Sequence, residues 1–229
     1  MTLMLIFIVT IAIALLAQWQ VRRMYHRYSR VPATGGYTGA EVAHEILRTA
    51  GVRDVEIVEQ NEMLGDHYDP IGRRLVLSAD NYHGTSLAAL GVAAHEAGHA
   101  LQHQQGYKPL HWRVAAVGAT NFASQIVTWL PLIGVATGLL ATSTGLAVMA
   151  GAWGLIMAFN LVTLPVEFDA SRRAKAMLLR MGLVSGQAEN AAVARVLNAA
   201  AMTYLAAFIT SLLYMLYYLL PLLSGRSRE

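Results

Sequence analysis

Residues 114–166 contain no Asp, Glu, Lys or Arg, and this uncharged stretch constrains the fold more than any other feature of the chain. Two helices of about 20 residues joined by a turn would fill it, and each would be long enough to cross a hydrocarbon core of about 30 Å. The turn is expected at residues 142–145, and Gly134 and Gly138 form a G-x-x-x-G pattern that suits close helix packing. The stretch therefore predicts a transmembrane hairpin over residues 114–163.

Two further apolar runs lie near the ends of the chain, at residues 3–19 and 204–223. The first could instead be a signal peptide, but residues 1–10 carry no Lys or Arg, and no convincing cleavage site follows. Basic residues come after this run, which is typical of an anchor whose following segment is cytoplasmic. Together with the hairpin, these runs predict four transmembrane helices in a multi-pass protein of the cell membrane, with the lipid bilayer as its surroundings.

Lysine and arginine are segregated along the chain. Of the 17, 15 lie in residues 20–113 and 164–202, and only Arg226 and Arg228 lie elsewhere. Four spans place both segments on the same side of the membrane, and the positive-inside rule makes that side cytoplasmic. Three or five spans would prevent the two segments from meeting. Because the basic residues flank apolar runs as orientation signals do, they give little support to nucleic-acid binding.

The first basic segment contains the pattern H-E-x-x-H, formed by His95, Glu96 and His99. In a helix, histidines four residues apart lie on the same face, so both imidazoles can bind one metal ion. Glu96 projects about 100° around the helix from His95, and can take a proton from a metal-bound water without being a ligand. A helix is predicted from residue 86 to residue 105, ending at Gly106.

Two histidines leave a zinc site incomplete, because catalytic zinc usually has three protein ligands and a water. The chain has no cysteine, so the remaining ligand must be an imidazole or a carboxylate. Glu167 and Asp169 follow the hairpin but point about 200° apart in a helix, so only one can face the metal. Glu167 is the preferred ligand. Asp169 is expected to face outward, as a surface acid or as one that orients a histidine ligand. His103 is interpreted as lying beside the site or at the surface.

These observations predict a mainly α, polytopic membrane protein with a small α+β catalytic domain of the zincin type. The catalytic part carries a short β-hairpin or sheet formed by residues 55–59 and 73–77, and a helix that begins with the capping box of Thr38 and Glu41. The parts in order are an N-terminal anchor, the catalytic domain, the transmembrane hairpin, a helical segment with the third metal ligand, and a C-terminal transmembrane helix with a tail. They span residues 1–21, 22–113, 114–163, 164–202 and 203–229.

The loop between the two predicted strands contains G-D-H-Y-D-P at residues 65–70. Asp, Gly and Pro favour a turn there, which is the simpler interpretation. Because the loop also carries a His and a Tyr, it could instead line an active site. Donors that could stabilise an oxyanion are His67, Tyr68, Tyr82 and His83, and the sequence does not choose among them.

In combination, these motifs resemble the YugP-like family of membrane zinc metallopeptidases. The resemblance rests on residues 65–70, 77–78, 92–100 and 164–171, and it extends over nearly the whole chain, including the four apolar runs. More distantly, the chain is similar to HtpX and the CAAX prenyl endopeptidases, gluzincins whose glutamate ligand lies in an E-[FY]-x-A-D pattern. Here the pattern ends in Ser171, so Glu167 aligns with the glutamate ligand, but the role of the later Asp is not carried over.

The predicted function is zinc-dependent hydrolysis of peptide bonds in peptide or protein substrates, membrane proteins included. His95, His99 and Glu167 would bind Zn²⁺, which lowers the pKa of a bound water to about 7. Glu96 would act as the general base and return the proton to the leaving amine. A strand such as residues 73–77 could pair with an extended substrate.

Two alternatives stay open at this point. A membrane scaffold or regulatory protein could keep zinc as a structural brace, although a closed structural site has no use for Glu96 as a base. A protease that cuts within the bilayer would need a transmembrane motif helix. The apolar part of this helix is short, and polar residues follow at once at 102–105.

Overall fold

The computed structural model of the protein describes residues 2–61 and 65–224. The described chain is mainly helical with one small sheet, as predicted. Its elements in order are α1 (Thr2–Tyr28), α2 (Gly39–Thr49), β1 (Glu56–Gln60), β2 (His67–Asp69), β3 (Arg74–Ser78), α3 (Ala79–Tyr82), α4 (Leu87–Gln104), α5 (Lys108–Thr137), a short 3-10 helix (Leu139–Ala141), α6 (Ser143–Arg180) and α7 (Gly186–Leu223). Most of the predicted C-terminal tail, with Arg226 and Arg228, lies outside the described residues.

The chain groups into two compact units. One, called the apolar unit below, comprises Trp112–Leu164 together with the chain up to Leu16 and from Thr203 onward. The other, called the motif unit, comprises Ala17–His111 and Pro165–Met202. Helices α1, α5, α6 and α7 contribute residues to both.

Three helices of the described chain, α1, α6 and α7, are long and apolar enough to cross a membrane. Helix α5, which the sequence analysis also counts as a span, is not among them. Its 30 residues give a length of about 45 Å at 1.5 Å per residue, so length does not set it apart. Polar side chains such as Thr120, Asn121 and Gln125 dilute its hydropathy. Three spans are therefore supported by length and composition, and the fourth stays a prediction.

The helices of the apolar unit make specific contacts with one another. Trp153 of α6 stacks on Tyr214 of α7 with ring centroids 4.6 Å apart. The Asn160 amide donates to the Ser211 hydroxyl at 3.1 Å and to the Ala207 carbonyl at 3.2 Å. An amide in a hydrocarbon environment needs such partners, so these bonds favour one register of α6 against α7.

The turn between α5 and α6 lies at residues 138–142, slightly earlier than the predicted 142–145, and Thr142 Oγ1 accepts a hydrogen bond from the Gly145 N–H at 3.1 Å. The G-x-x-x-G pattern shapes this turn. Gly138 has a φ of 75°, a left-handed conformation that ends α5. A Cβ on Gly134 would lie 2.7 Å from Leu140 Cγ. Beyond the turn, α6 continues without a break to Arg180, so the predicted helical segment that begins at residue 164 starts inside a longer helix.

Helix ends in the motif unit follow the predicted capping signals. The Thr38 hydroxyl and the Glu41 carboxylate form a capping box at the start of α2. Ser86 caps α4, which ends just before Gln105, and Gly106 follows with a φ of 62°. The H-E-x-x-H residues therefore lie in the middle of a regular helix, as predicted.

The sheet has the strand order β1-β3-β2. Strand β3 pairs in parallel with β1, with Ile57 opposite Leu75, and antiparallel with β2, with Tyr68 opposite Leu75. The two predicted strands are thus parallel neighbours, which cannot form a hairpin. The strand between them in sequence, β2, has only three residues and carries no clear pattern. Because β3 has a neighbour on each side, the prediction that residues 73–77 pair with a substrate is wrong.

Helices α4 and α6 approach each other closely at Gly98. A Cβ on Gly98 would lie 2.8 Å from the Ala170 carbonyl oxygen and 3.2 Å from the Ala170 Cα. Ala94, Ala97 and Ala174 are 0% exposed in the same core. Small residues therefore allow α6 to lie directly against the helix that carries the two motif histidines.

We predict that Gly98→Ala destabilises the protein by about 1–3 kcal/mol, the usual cost of overpacking, because the new methyl meets backbone that cannot rotate away. Gly91→Ala in the same helix is the matched control. Its Cβ would meet only Val193 Cγ1, at 3.3 Å, and a gain of about 1 kcal/mol in helix propensity offsets that contact. Denaturant unfolding of both variants measures the difference. Equal losses would show that the close approach at Gly98 does not matter.

Candidate metal centre

The fold brings His95, His99 and Glu167 together. One ligand atom from each lies within 4.8 Å of the other two. Glu167 Oε2 is 3.2 Å from His95 Nε2 and 3.6 Å from His99 Nε2. Glu167 follows the two histidines by about 70 residues of sequence. The histidines come from α4 and Glu167 comes from α6. We call them the His–His–Glu cluster.

Two members of the cluster are almost closed to solvent, and the third, His95, has a side chain that is 14% exposed. Glu167 is 1% exposed and His99 is 7% exposed. Glu167 projects from α6 close to the point where Gly98 allows the two helices to approach. A carboxylate buried to this degree is costly unless positive charge or hydrogen-bond donors compensate it, and the two imidazoles provide such partners.

Each histidine of the cluster has a partner for its second ring nitrogen. His99 Nδ1 lies 3.0 Å from Gln102 Oε1, and His95 Nδ1 lies 3.2 Å from Ser171 Oγ. An amide oxygen can only accept, so His99 donates from Nδ1. When His99 is neutral, this tautomer leaves the lone pair on Nε2, and in both histidines Nε2 lies close to Glu167. The resemblance left the role of Ser171 open, and here its hydroxyl orients His95.

Gln102 was not identified from the sequence, although it joins the two helices. It is fully buried, and its Nε2 donates to the Val166 carbonyl at 2.8 Å and to Asp169 Oδ2 at 2.9 Å. These two acceptors leave its Oε1 to face His99. Its position three residues after His99 was the available signal, because residues at that spacing share a helix face.

The prediction that Asp169 faces outward is wrong. It is 5% exposed and accepts hydrogen bonds from Gln102, Arg172 and Arg173. The helix angle of about 200° from Glu167 was correct in principle, but the side chain of Gln102 reaches across from α4 and closes over Asp169. The alternative role is supported in an indirect form, since Asp169 positions Gln102, and Gln102 positions His99.

The donor atoms of the cluster fit zinc. Two imidazole nitrogens and one carboxylate are the ligands of catalytic zinc sites that keep an open position. Oriented second nitrogens are typical of histidines that bind metal. Burial by itself would lower the pKa of His99, but the hydrogen bond to Glu167 and the charges of Glu96 and Glu167 outweigh it and raise that pKa. A metal ion competes with these protons, so metal binding should weaken as pH falls.

Glu96 lies next to the cluster but outside it. It is 8% exposed, and it is not one of the three side chains whose ligand atoms converge. No donor within residues 2–61 and 65–224 makes a hydrogen bond to its carboxylate. A carboxylate that is held by no donor keeps its lone pairs available to other groups.

Turn chemistry accounts for much of residues 65–70. Asp69 Oδ1 accepts the N–H groups of residues 71 and 72, each at 3.0 Å, and closes the turn before β3. Asp66 accepts the Ser78 N–H at 2.8 Å and the Asn81 amide at 2.9 Å. The two aspartates therefore fix the loop, which agrees with the simpler of the two interpretations.

Of the four predicted oxyanion donors, two have hydrogen-bond partners away from the motif helix. His67 Nδ1 lies 2.7 Å from a carbonyl oxygen of its own loop, and His83 Nε2 lies 3.1 Å from Glu59. Tyr82 packs against the hydrophobic core. Tyr68 alone of the four bonds to the motif helix.

The partner of Tyr68 is His103, one turn beyond His99 on α4. The Tyr68 hydroxyl lies 2.8 Å from His103 Nδ1. Partial burial, the positive charge of Arg73 and the neighbouring His111 lower the pKa of His103, while burial raises the pKa of Tyr68. Both groups are therefore neutral near pH 7. His103 lies beside the cluster without joining it, which agrees with its interpretation from sequence.

Comparisons with known proteins were made over the whole chain. A family model described as "Putative neutral zinc metallopeptidase" matches residues 3–223. The chain is 41% identical over 229 residues to a protein of Bacillus subtilis (strain 168) named "Putative membrane protease YugP", and the match covers 99% of this chain and 100% of that protein. No solved structure matches the chain.

We predict that Gln102→Ala weakens zinc binding about 10- to 100-fold, the usual loss when the partner of a metal-binding histidine is removed. Gln104→Ala is the matched control, because Gln104 is exposed and makes only a 3.4 Å contact with the Gly51 carbonyl. Competition with a chelator of known affinity measures both variants. Wild-type affinity in Gln102→Ala would show that His99 needs no orienting partner.

Proposed function

This chain belongs to the family of neutral zinc metallopeptidases that includes YugP, and from that premise we propose that it is a membrane-anchored zinc endopeptidase. Its substrates are peptides or proteins, membrane proteins included. The proposal is carried by one observation, which is that a buried His–His–Glu cluster lies beside a carboxylate that is not part of it. A hydrolytic zinc site needs both parts, whereas a site that only holds a metal needs the first alone.

Each residue of the site has a defined task in the proposed reaction. His95, His99 and Glu167 would hold Zn²⁺, which when bound supplies the Lewis acidity that makes water nucleophilic near neutral pH. Glu96 takes a proton from the attacking water and returns it to the nitrogen of the leaving amine, so protons balance over the reaction. Ser171 and Gln102 hold the two imidazoles in the orientation that binding requires.

The outer edge of β2 offers a place for an extended substrate. Within the described sheet, β2 pairs with β3 on one side and its other side has no strand. Tyr68 of β2 contacts His103 of α4, so a peptide added to this edge would run beside the motif helix. Pairing through backbone hydrogen bonds would give affinity without strict sequence choice.

The alternative function, a membrane scaffold or regulator braced by structural zinc, is less well supported. A structural site closes its fourth position, usually with a cysteine or a histidine. The chain has no cysteine, and His103 is engaged with Tyr68. The scaffold interpretation also assigns no role to Glu96, which is nearly buried and lies outside the cluster.

We also propose that α5 is a fourth transmembrane helix. All four of its hydroxyl side chains, at residues 120, 124, 128 and 137, donate to the carbonyl four residues earlier, at 2.8–3.0 Å. Hydroxyls satisfied within their own helix are compatible with lipid. Large apolar side chains of α5 are exposed, among them Phe122 at 69% and Leu132 at 65%, and lipid would cover them.

Chain connectivity supports the same conclusion. The motif unit contains both Ala17–His111 and Pro165–Met202, so the intervening chain crosses the bilayer an even number of times. Helix α6 supplies one crossing, and α5 is the remaining long helix between the two segments. With 15 of the 17 Lys and Arg in residues 20–113 and 164–202, the positive-inside rule puts the motif unit on the cytoplasmic side.

We predict that reporters placed at Gly36, in the turn at residues 138–142 and at the C-terminus report the inside, the outside and the outside of the cell. The reason is that α5 separates the first two sites and α7 separates the motif unit from the C-terminus. A paired fluorescent and phosphatase reporter measures each position. If the turn reports the same side as Gly36, α5 does not cross the membrane.

We predict that Glu96→Gln keeps stoichiometric zinc and the folded state but loses peptidase activity by about 10²–10⁴-fold, the contribution of an acid–base catalyst. The amide preserves size and hydrogen bonding but cannot accept the proton. Metal analysis and cleavage of an unfolded protein substrate measure the two properties, and His95→Ala is the control that should lose both.

Two outcomes of this experiment contradict the proposal. Full activity in Glu96→Gln would remove the hydrolase mechanism and favour the structural-zinc scaffold. Loss of zinc in the same variant would show that Glu96 is a ligand.

A further inference from the structure

A cavity of about 490 Å³ lies in the motif unit beside the end of α1, and the proposed peptidase reaction does not use it. His26, Ser29 and Arg30 line one wall. Thr85 and Ser86, which directly precede α4, line the other. We call it the juxtamembrane cavity, because α1 is an apolar helix long enough to cross a membrane and its basic residues follow the apolar run. Its size falls within the range of small-ligand sites.

The cavity contains unpaired positive charge. Four arginines follow the apolar part of α1, and two of them lie over aromatic rings: Arg23 over Trp19, at 5.0 Å, and Arg27 over Tyr28, at 5.6 Å. Arg30 makes no ion pair or hydrogen bond through its side chain with any residue that the structure describes. It is exposed and lines the cavity, so its guanidinium is available to an anion.

Other groups on the walls suit an anion with several oxygens. His26 and Thr85 line the cavity, and their side chains make no hydrogen bond within the described chain, so both can donate. One acid, Asp80, also lines the cavity, and it does not pair with Arg30. The negative charge of Asp80 repels an anion. Removing it should therefore strengthen anion binding, whereas removing the charge of Arg30 should weaken it.

The wall opposite α1 is held in place by backbone hydrogen bonds. The Ala33 N–H donates to the Thr85 carbonyl and the Leu87 N–H donates to the Val31 carbonyl, both at 2.9 Å. Ser86 Oγ caps α4. The cavity is therefore formed by two fixed walls, and its far wall continues directly into the helix that carries the motif histidines.

From these contacts we infer that the juxtamembrane cavity binds the phosphate headgroup of an anionic membrane lipid. Arg30 supplies the charge, and His26 and Thr85 supply further donors to phosphate oxygens. The end of a membrane-crossing helix lies at the level of lipid headgroups, so a lipid can reach the cavity while its acyl chains stay in the bilayer. Bound there, the headgroup links the lipid to the start of α4.

The test titrates the full chain, purified in a neutral detergent, with phosphatidylglycerol and follows the unfolding temperature. Phosphatidylcholine with the same acyl chains and inorganic phosphate are titrated in parallel. We expect a saturable rise with phosphatidylglycerol only. Arg30→Gln should raise the half-saturating lipid concentration about fivefold, which corresponds to the roughly 1 kcal/mol per cation found near anionic membranes.

Two variants separate a built site from general electrostatic attraction. Arg27→Gln removes the same charge one turn away but outside the cavity, and should change the half-saturating concentration less than about twofold. Asp80→Asn removes the opposing charge and should lower it severalfold, a result that does not depend on how Arg30→Gln folds.

Several results would overturn the inference. Equal effects of Arg27→Gln and Arg30→Gln would show diffuse attraction without a site. Equal stabilisation by phosphatidylcholine would show that the headgroup charge is irrelevant. Equal stabilisation by inorganic phosphate would assign the cavity to a soluble anion, and no saturable response would leave the cavity without this ligand.

Discussion

The contact on which the structure of the site depends is the one between the carboxylate of Glu167 and the imidazoles of His95 and His99. A carboxylate that is 1% exposed is strongly unfavourable without compensating charge. The compensation comes from the facing helix, and it requires the two helices to lie close together. Gly98 permits that approach. The packing of α4 against α6 and the charge balance of the cluster therefore depend on the same close approach. A bound cation would stabilise the fold as well as the cluster.

Around this contact, neutral side chains orient the two imidazoles, and the charged groups lie further from them. Ser171 and Gln102 partner the two imidazoles, and neither carries a charge. Asp169 does not contact the imidazoles. Its carboxylate accepts a hydrogen bond from Gln102, and Arg172 and Arg173 balance its charge. His95 and His99 are thus oriented without a second buried carboxylate in direct contact. This arrangement leaves Glu167 as the one carboxylate in direct contact with the two imidazoles, and Glu96 beside the cluster without a hydrogen-bond donor among the residues that the structure describes.

Polar side chains in the long helices form hydrogen bonds that are compatible with a lipid environment. The hydroxyls of α5 bond to carbonyls of their own helix, and Asn160 of α6 bonds to α7. Polar side chains such as Asn121 and Gln125 dilute the hydropathy of α5, so composition by itself supports three spans. The fourth span is proposed because two segments of one compact unit, Ala17–His111 and Pro165–Met202, flank the stretch that contains α5 and the first part of α6. The hydropathy of a helix reflects how favourably that helix transfers from water to lipid. The grouping of segments into one unit shows instead which parts of the chain pack together.

The sequence by itself determined the local features: the capping box of α2, the ends of α4, the turn near Thr142 and the spacing that puts His95 and His99 on one face. Each depends on residues within one or two helical turns, where capping and periodicity decide the outcome. Glu167 could also be predicted from the sequence as the partner of the two histidines, because few carboxylates follow the apolar hairpin. The tertiary structure decided the strand order β1-β3-β2, the burial of Asp169 and the role of Gln102. Those depend on which backbone lies opposite a side chain, and helix angles along one segment carry no information about the neighbour that packs against it.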